Sequence, residues 1–352
     1  VYPDAKYFAP LIGWIGKASD DEIEGFNKEI GTEKYQLNDI VGKSGIEQYM
    51  ELDLQGTKGS QIIDVDSVGH ILNVESVIEP IPGNDVYLSI DKDLQMACYD
   101  ILEQKLAGIL LEKITNNKIY TSTGRAKDIK IPIYDVYYAC FDNNIIDIDQ
   151  FKQDDASELE KSIQQRFEQK LASVLDRLRA ELSNPNAAAY KDLSLEMKNY
   201  MSHIVSSSCL MGENDVLNPD SADPMYKAWH TEESISLKTY LEYAISMNWI
   251  NVSKVAKDTP YLDSEEIYNA LVEYIAQSLS EDSKFGEILY RFMLQDDMIS
   301  GRETALLLYD QGILSSEEDE DYAKLASGAM SAYDFFITKI TKLEITPGML
   351  AL

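Results

Sequence analysis

The spacing of apolar positions along this chain changes character near residue 91. From about residue 57 to 90 it has period two, in "SQIIDVD", "GHILNVES" and "VIEPIPGNDVYLSI". Such alternation predicts a small antiparallel sheet, with Asp66-Ser67 and Pro82-Gly83-Asn84-Asp85 as its turns. Ahead of it, "DIVGKSGIEQYMELDLQG" reads as a glycine-bounded loop and a short helix, which Ser44 and Glu47 would start as a capping box.

Beyond Asp91 the pattern becomes helical. Leu94, Cys98, Ile101, Leu102 and Leu106 share one face of a helix that starts at an Asp N-cap. In "ASELEKSIQQRFEQKLASVLDRLRAEL" the residues Leu159, Ile163, Phe167, Leu171, Leu175, Leu178 and Leu182 form one stripe, ended by Ser183-Asn184-Pro185. Two further helices open with acceptors spaced three apart, Asp263 with Glu266 and Ser300 with Glu303, and the second stops at Gly312. Loops are expected near 218–224 and 315–321. No repeat with a period of 20–50 residues is visible, although the succession of helix pairs is compatible with a small solenoid. Between the two patterns, "TSTGRAKDIKIPIYDVYYACFDNNIIDI" is rich in β-branched and aromatic residues but contains Pro132, and reads as an edge strand or an extended linker.

The expected fold class is therefore α+β: a small antiparallel β-containing domain over residues 1–110, a linker or extended segment over 111–150, and a predominantly α-helical domain over 151–352. The length of 352 residues suits about two domains of ~100–200 residues each. With 45% hydrophobic and 26% charged residues the composition is that of a globular protein.

A net charge of −30 argues against electrostatic binding to nucleic acid or to an anionic membrane surface. Three scattered cysteines, Cys98, Cys140 and Cys209, offer neither a disulfide framework nor a C-x-x-C pair, and His70, His203 and His230 lack a ligand-like spacing, so no metal is expected. There is no G-x-S-x-G elbow and no phosphate loop, and no cofactor is expected. No apolar run approaches the ~20 residues that cross a bilayer.

One set of short motifs invites a catalytic reading. Ser89 and Lys92 have the S-x-x-K spacing of acyl-serine enzymes, Lys43-Ser44-Gly45 is close to K-T-G, and Ser246-Met247-Asn248 is an S-x-N. Context opposes it. Ser89 ends a strand pattern whereas Lys92 opens a helix, so a break separates two side chains that the chemistry needs on one helical turn. The order is also wrong, with the lysine-glycine element first. No catalytic residue is assigned.

The stretch that fails as an active site resembles the non-catalytic dimerisation, or pedestal, domain of class B penicillin-binding proteins. In that family G-x-x-G-(I/L)-E is followed by L-x-G-x-x-G, a P-x-x-G turn, and T-I-D-x-x-L-Q. Here these are Gly42, Gly45, Ile46 and Glu47; Leu54, Gly56 and Gly59; Gly83 after "EPIP"; and Ser89, Ile90, Asp91, Leu94 and Gln95. Ser89 stands at the threonine position and Lys92 at a variable one. Upstream, "YPDAKYFAPLIGWIG" is similar to the family's Y-P segment leading to G-(Y/W)-x-G, with Gly13 and Gly16 as turn residues. The helical remainder resembles a long insertion of some clostridia-like members, and "LEITPGMLAL" resembles the approach to the transpeptidase domain.

The resemblance implies a parent that is a peptidoglycan D,D-transpeptidase, with this chain as its support and the catalytic domain, first part of the pedestal and membrane anchor lying outside it. Implied partners are the parent's own transpeptidase domain, proteins of cell division or elongation, and a second copy in a homodimer. The implied place is the extracytoplasmic face of the membrane in a bacterium of Gram-positive type. Two competing readings are an autonomous acyl-serine enzyme and a helical adaptor that grips an envelope partner through an exposed apolar groove, for which "ALLLYD" and "YDFFITKI" are the candidate segments.

Overall fold

The structure is a computed structural model that describes residues 2–65, 70–120, 124–125, 128–206, 209–256, 262–317 and 319–351. The Asp66-Ser67 turn lies outside the described residues. The architecture is α+β, with two compact units, Val1–Gln104 and Lys105–Leu352.

The first unit runs α1 (Ala5–Ile12), β1 (Ile15–Lys17), α2 (Asp20–Ile30), β2 (Ile40–Gly42), α3 (Gly45–Tyr49), α4 (Glu51–Leu54), β3 (Ser60–Val65), β4 (Ile71–Ile78) and the start of α5 (Lys92–Lys113). β1 pairs antiparallel with β2, and β3 with β4. The third strand expected over residues 85–90 does not form. Pro80 and Pro82 have no amide to offer a ladder. The backbone around them pairs instead with the loop after α4, where Thr57 and Ile81 exchange amide hydrogen bonds of 2.7 and 2.9 Å and the Asn84 amide donates to Asp53 O at 2.8 Å.

The second unit continues with β5 (Ile114–Thr115), β6 (Ile131–Pro132), α6 (Ile133–Asp142), α7 (Glu158–Ser183), α8 (Leu195–Ser206), α9 (Pro224–His230), α10 (Leu237–Ser246), α11 (Val252–Val255), α12 (Ser264–Glu281), α13 (Ser283–Gln295), α14 (Gly301–Asp310), α15 (Glu320–Ser327), α16 (Ala332–Thr341) and α17 (Pro347–Leu350). Its core has two lobes. α7, α8, α9, α10 and α12 build one around Tyr200, Tyr240 and Leu271; α6, α14, α15 and α16 build the other around Phe141, Leu308 and Phe335. α13 serves both, with Phe285 and Leu289 in the first and Tyr290 and Met293 in the second. The α7 stripe packs as its spacing predicts: Ile163, Leu175, Leu178 and Leu182 are buried, and Leu159, Phe167 and Leu171 pack against the core.

The segment expected to be extended holds a core helix. Ile133, Val136, Tyr137, Cys140 and Phe141 recur at helical spacing and are all buried in α6. Pro132 closes the short strand β6 and sits at the N-cap position of α6, where a missing amide costs nothing, so the proline starts the helix.

A recurrent corner joins these helices. Asn144, Asn248, Asp297, Gly312, Gly328 and Leu343 each end a helix in the left-handed region, with φ between 51° and 79°. Two residues later stands an apolar side chain, buried at Ile146, Ile250, Ile299, Leu314 and Ile345. In four of these the amide reaches back six residues: Ile146 to Cys140 O, Ile299 to Met293 O, Leu314 to Leu308 O and Ile345 to Lys339 O, at 2.8–3.2 Å. The next helix then opens at once, on Ser300 after Ile299 and on Thr346 after Ile345. From Asp297 onward the corner returns every 15 or 16 residues, a period shorter than those of common helical repeats.

Two of the three capping boxes read from the sequence are formed. Asp263 accepts from the Glu265 and Glu266 amides at 2.9 Å, and Ser300 Oγ from the Glu303 amide at 3.2 Å while Glu303 accepts from the Ser300 amide at 2.8 Å. Replacing Ser300 with alanine is expected to cost about 1 kcal/mol of helical-unit stability. Urea unfolding followed by far-UV circular dichroism checks it.

Candidate functional site

The motif residues of the first unit form a frame in which backbone lies directly on backbone. A Cβ at Gly42 would stand 2.1 Å from the carbonyl carbon and oxygen of Glu47. Gly45, at φ +60°, faces the end of α1, where a Cβ would come within 2.6 Å of Leu11 O. The rest of the motif zips the base of the hairpin. A Cβ at Gly56 would meet Ile81 O at 2.2 Å, one at Gly59 would meet Ile78 O at 2.6 Å, and one at Gly83 would meet Leu54 O at 1.8 Å. Real Cβ contacts do not come this close, so the L-x-G-x-x-G and P-x-x-G elements let two segments lie flush where any side chain would wedge them apart.

Polar side chains hold the ends of this frame. Asp91 Oδ1 accepts from the Leu94 amide at 2.8 Å and caps α5, as its position predicts. One turn on, Gln95 Nε2 donates to Tyr7 O at 3.1 Å, and Tyr7 packs edge-on to Tyr99 with ring centres 5.1 Å apart. These contacts fasten the start of α5 to α1. Glu47 departs from its expected role. Ser44 stands at the N-cap of α3 but its hydroxyl caps no amide, and the Glu47 carboxylate accepts from the Tyr2 hydroxyl instead.

Glu51, which no sequence motif singles out, is the buried carboxylate of the frame. It is 5% exposed, and its two oxygens accept from the Gly42 amide at 2.8 Å and the Tyr35 hydroxyl at 3.1 Å. Burial and the Glu51 charge together push the Tyr35 hydroxyl well above its ordinary pKa, so it stays a donor. The available signal is its spacing: Glu51 lies four residues after Glu47 in "IEQYMELDL".

Three residues of the acyl-serine pattern are engaged elsewhere. Lys92 Nζ pairs with Asp4 at 2.6 Å, and Lys43 Nζ with Glu22 at 2.5 Å. The Lys43 bond, with the Ser19 amide, holds the Glu22 carboxyl down at about 2. Ser246 Oγ donates to Tyr243 O at 2.7 Å at the end of α10. Ser89 sits in a bend, not on a strand. Among the described residues no group of three or more His, Cys, Asp and Glu is arranged to hold a metal ion, and no helix is long and apolar enough to cross a membrane.

The two units differ sharply in how they treat apolar surface. Among the described residues only Tyr35 and Val41 are buried apolar side chains of the first unit, while 20 of the 26 exposed large apolar side chains so described lie there. They include Leu94, Ile101 and Leu102, the face of α5 that its spacing would place in a core, at 64%, 55% and 61% exposure. The helical unit is the opposite. The segments expected to supply an adaptor groove are spent on its own core, with Leu307, Leu308, Phe335, Phe336 and Ile340 all at 0% exposure.

Residues 1–88 match the family model of the penicillin-binding protein dimerisation domain. This part of the chain belongs to that family. The glycine frame is thus the frame of a penicillin-binding protein dimerisation domain. Over 111 residues the chain is 32% identical to peptidoglycan D,D-transpeptidase MrdA of Salmonella typhimurium, an alignment that covers 32% of this chain and 18% of that protein. It is 35% identical over 107 residues to MrdA of Acinetobacter baumannii and 42% identical over 105 residues to penicillin-binding protein 2A of Bacillus subtilis, each covering 30% of this chain and 15% of the relative. The chain thus spans under a fifth of the length of the curated relatives it matches. The sources are mixed, and do not favour the Gram-positive origin expected from the sequence.

Proposed function

We propose that this chain is the support region of a peptidoglycan D,D-transpeptidase and has no chemistry of its own. The supporting observation is the first unit itself: a glycine-zipped frame that leaves most of its large apolar side chains in water. Monomeric soluble proteins rarely leave so much apolar surface uncovered, and such surface marks interaction sites. In this reading residues 1–110 form the support, and the exposed row on α5 is where the parent's transpeptidase domain seats. Residues 151–352, together with α6, form a self-contained insertion. The support presents the catalytic domain on the extracytoplasmic side of the membrane, to division or elongation proteins and to a second copy of itself in a homodimer.

The purified chain incubated with a fluorescent β-lactam is expected to form no covalent adduct, and Ser89→Ala to leave that background unchanged. An adduct that disappears in Ser89→Ala would overturn the reading and establish the acyl-serine enzyme. In cells, an antibody against the chain is expected to capture a penicillin-labelled polypeptide much longer than 352 residues. An unlabelled polypeptide of about this length would separate the support from any enzyme.

A further inference from the structure

The β3–β4 hairpin has one predominantly apolar face, and among the described residues nothing in its own unit buries it. Its register pairs Gln61 with Val77, Ile63 with Val74 and Val65 with Ile71. The two register shifts set Glu75 and Leu72 aside as extra residues, so Ile63, Ile71, Val74 and Val77 stay on one side despite their uneven spacing. The other side carries Ser60, Asp64, Asn73 and Ser76, with Ile62 and Ile78. The four apolar side chains of the first face are 39%, 60%, 43% and 54% exposed. A two-stranded hairpin with a bare apolar face is marginal in water until something covers it.

Charge narrows what that cover is. No lysine or arginine occurs between Lys58 and Lys92, whereas Asp64, Asp66, Glu75, Glu79, Asp85 and Asp91 do; His70 is the only basic residue in the stretch. Glu75 and Glu79 are exposed along the hairpin, and Asp64 lies on its other side. A second copy of the chain would bring the same carboxylates against one another, and an anionic lipid surface would be repelled. An apolar row with positive flanks fits both properties of the face.

We propose that this hairpin face docks an amphipathic helix of another protein, whose apolar row is edged by lysine or arginine. Apolar contact supplies the seat, and the flanking charges supply steering and discrimination. The inference stands on the hairpin alone and goes beyond the support role proposed above.

The test uses the purified chain and three synthetic peptides of about 18 residues, five helical turns each: a leucine/lysine amphipathic helix, its leucine/glutamate counterpart, and a serine/lysine peptide of the same charge as the first. Fluorescence anisotropy at physiological salt is expected to show the leucine/lysine peptide binding at least about tenfold more tightly than either control, with an affinity that falls as salt rises. The variant I63S/V74S/V77S, which changes exposed side chains only and keeps the charge, should lose that preference with hydrogen-exchange protection across residues 35–60 unchanged. E75Q/E79Q should weaken binding and flatten its salt dependence.

Equal binding of the serine/lysine peptide, or binding retained by the serine variant, would reduce the effect to general attraction by an acidic protein and overturn the proposal. Self-association of the chain that is abolished in the serine variant would give the face to a second copy and overturn it. Binding by this chain but not by the full-length parent would mean that the parent's own fold covers the face, which also overturns it.

Discussion

Replacing Gly42 with alanine is expected to collapse the first unit while leaving the helical unit folded. The new methyl group would stand 2.1 Å from the main-chain carbonyl of Glu47, and main chain cannot swing aside as a long side chain can. The same residue's amide is a donor to buried Glu51, so any backbone shift that relieves the clash loosens a charged hydrogen bond as well. Overpacking of this kind costs about 3 kcal/mol, the upper part of its usual range. With only Tyr35 and Val41 as buried apolar side chains among its described residues, the first unit has little reserve to absorb it. Hydrogen exchange read by mass spectrometry should show protection lost across residues 35–60 and retained in α7, α12 and α13. Uniform protection in both units would refute the wedge. Because the two units need not unfold together, a single melting temperature is the wrong readout.

Lys339→Met is the second substitution expected to act strongly, this time in the helical unit. Lys339 is 1% exposed, and its ammonium lies 2.7 Å from Asp319, 2.5 Å from Glu344 and 3.6 Å from Asp321. Asp319 also accepts from the Tyr309 hydroxyl at 2.6 Å, and Lys342 pairs with Asp321 at 2.6 Å. Methionine fills the space of the stem but leaves three carboxylates facing one another. The expected loss is about 3 kcal/mol, the lower end for breaking a buried ion pair, because Glu344 is partly open to water. Chemical unfolding of the helical unit measures it, and a loss below about 1 kcal/mol would place this cluster among surface pairs.

Acid separates the same cluster from a packing effect. Burial alone would raise the Asp319 carboxyl, but hydrogen bonds from Lys339, Tyr309 and the Asp321 amide outweigh it and hold the group at about 2, against an ordinary value of 3.8. A carboxyl depressed by folding stabilises the folded state fully above its ordinary value, and that contribution is lost as pH falls through the folded one. The wild-type helical unit should therefore lose stability between about pH 4 and pH 2. In Lys339→Met this acid-dependent loss should shrink, since the main donor is gone.

Legibility in the sequence followed the range of the interactions involved. The capping boxes at Asp263 and Ser300, the cap at Asp91 and the α7 stripe were all visible, because each is settled by the spacing of residues within one helix. The motif glycines were visible as a pattern, yet their reason was not. Gly83 matters because Leu54 O lies where its side chain would be, and that neighbour is 29 residues away. Glu47 was assigned a local partner, Ser44, but took Tyr2, 45 residues distant. Lys339 sits beside Phe335, Phe336 and Ile340 on the buried face of α16, a position that its spacing offered and its charge obscured.

The amino-acid sequence by itself determined the α+β class, the change from period two to helical spacing, the starts of α5, α12 and α14, and the dimerisation-domain motif, since these depend on neighbours close in the chain. Tertiary structure decided the rest. Whether "IPIYDVYYACF" is strand or helix depended on a core that could receive Ile133, Val136, Tyr137, Cys140 and Phe141 together. Whether apolar stripes end inside or outside depended on what else was available to cover them. The helical unit has enough elements to bury "ALLLYD" and "YDFFITKI" on two sides, whereas the first unit has none to spare for α5 or the β3–β4 hairpin. Hydrophobic patterning specifies a face, and only the assembled fold specifies what that face meets.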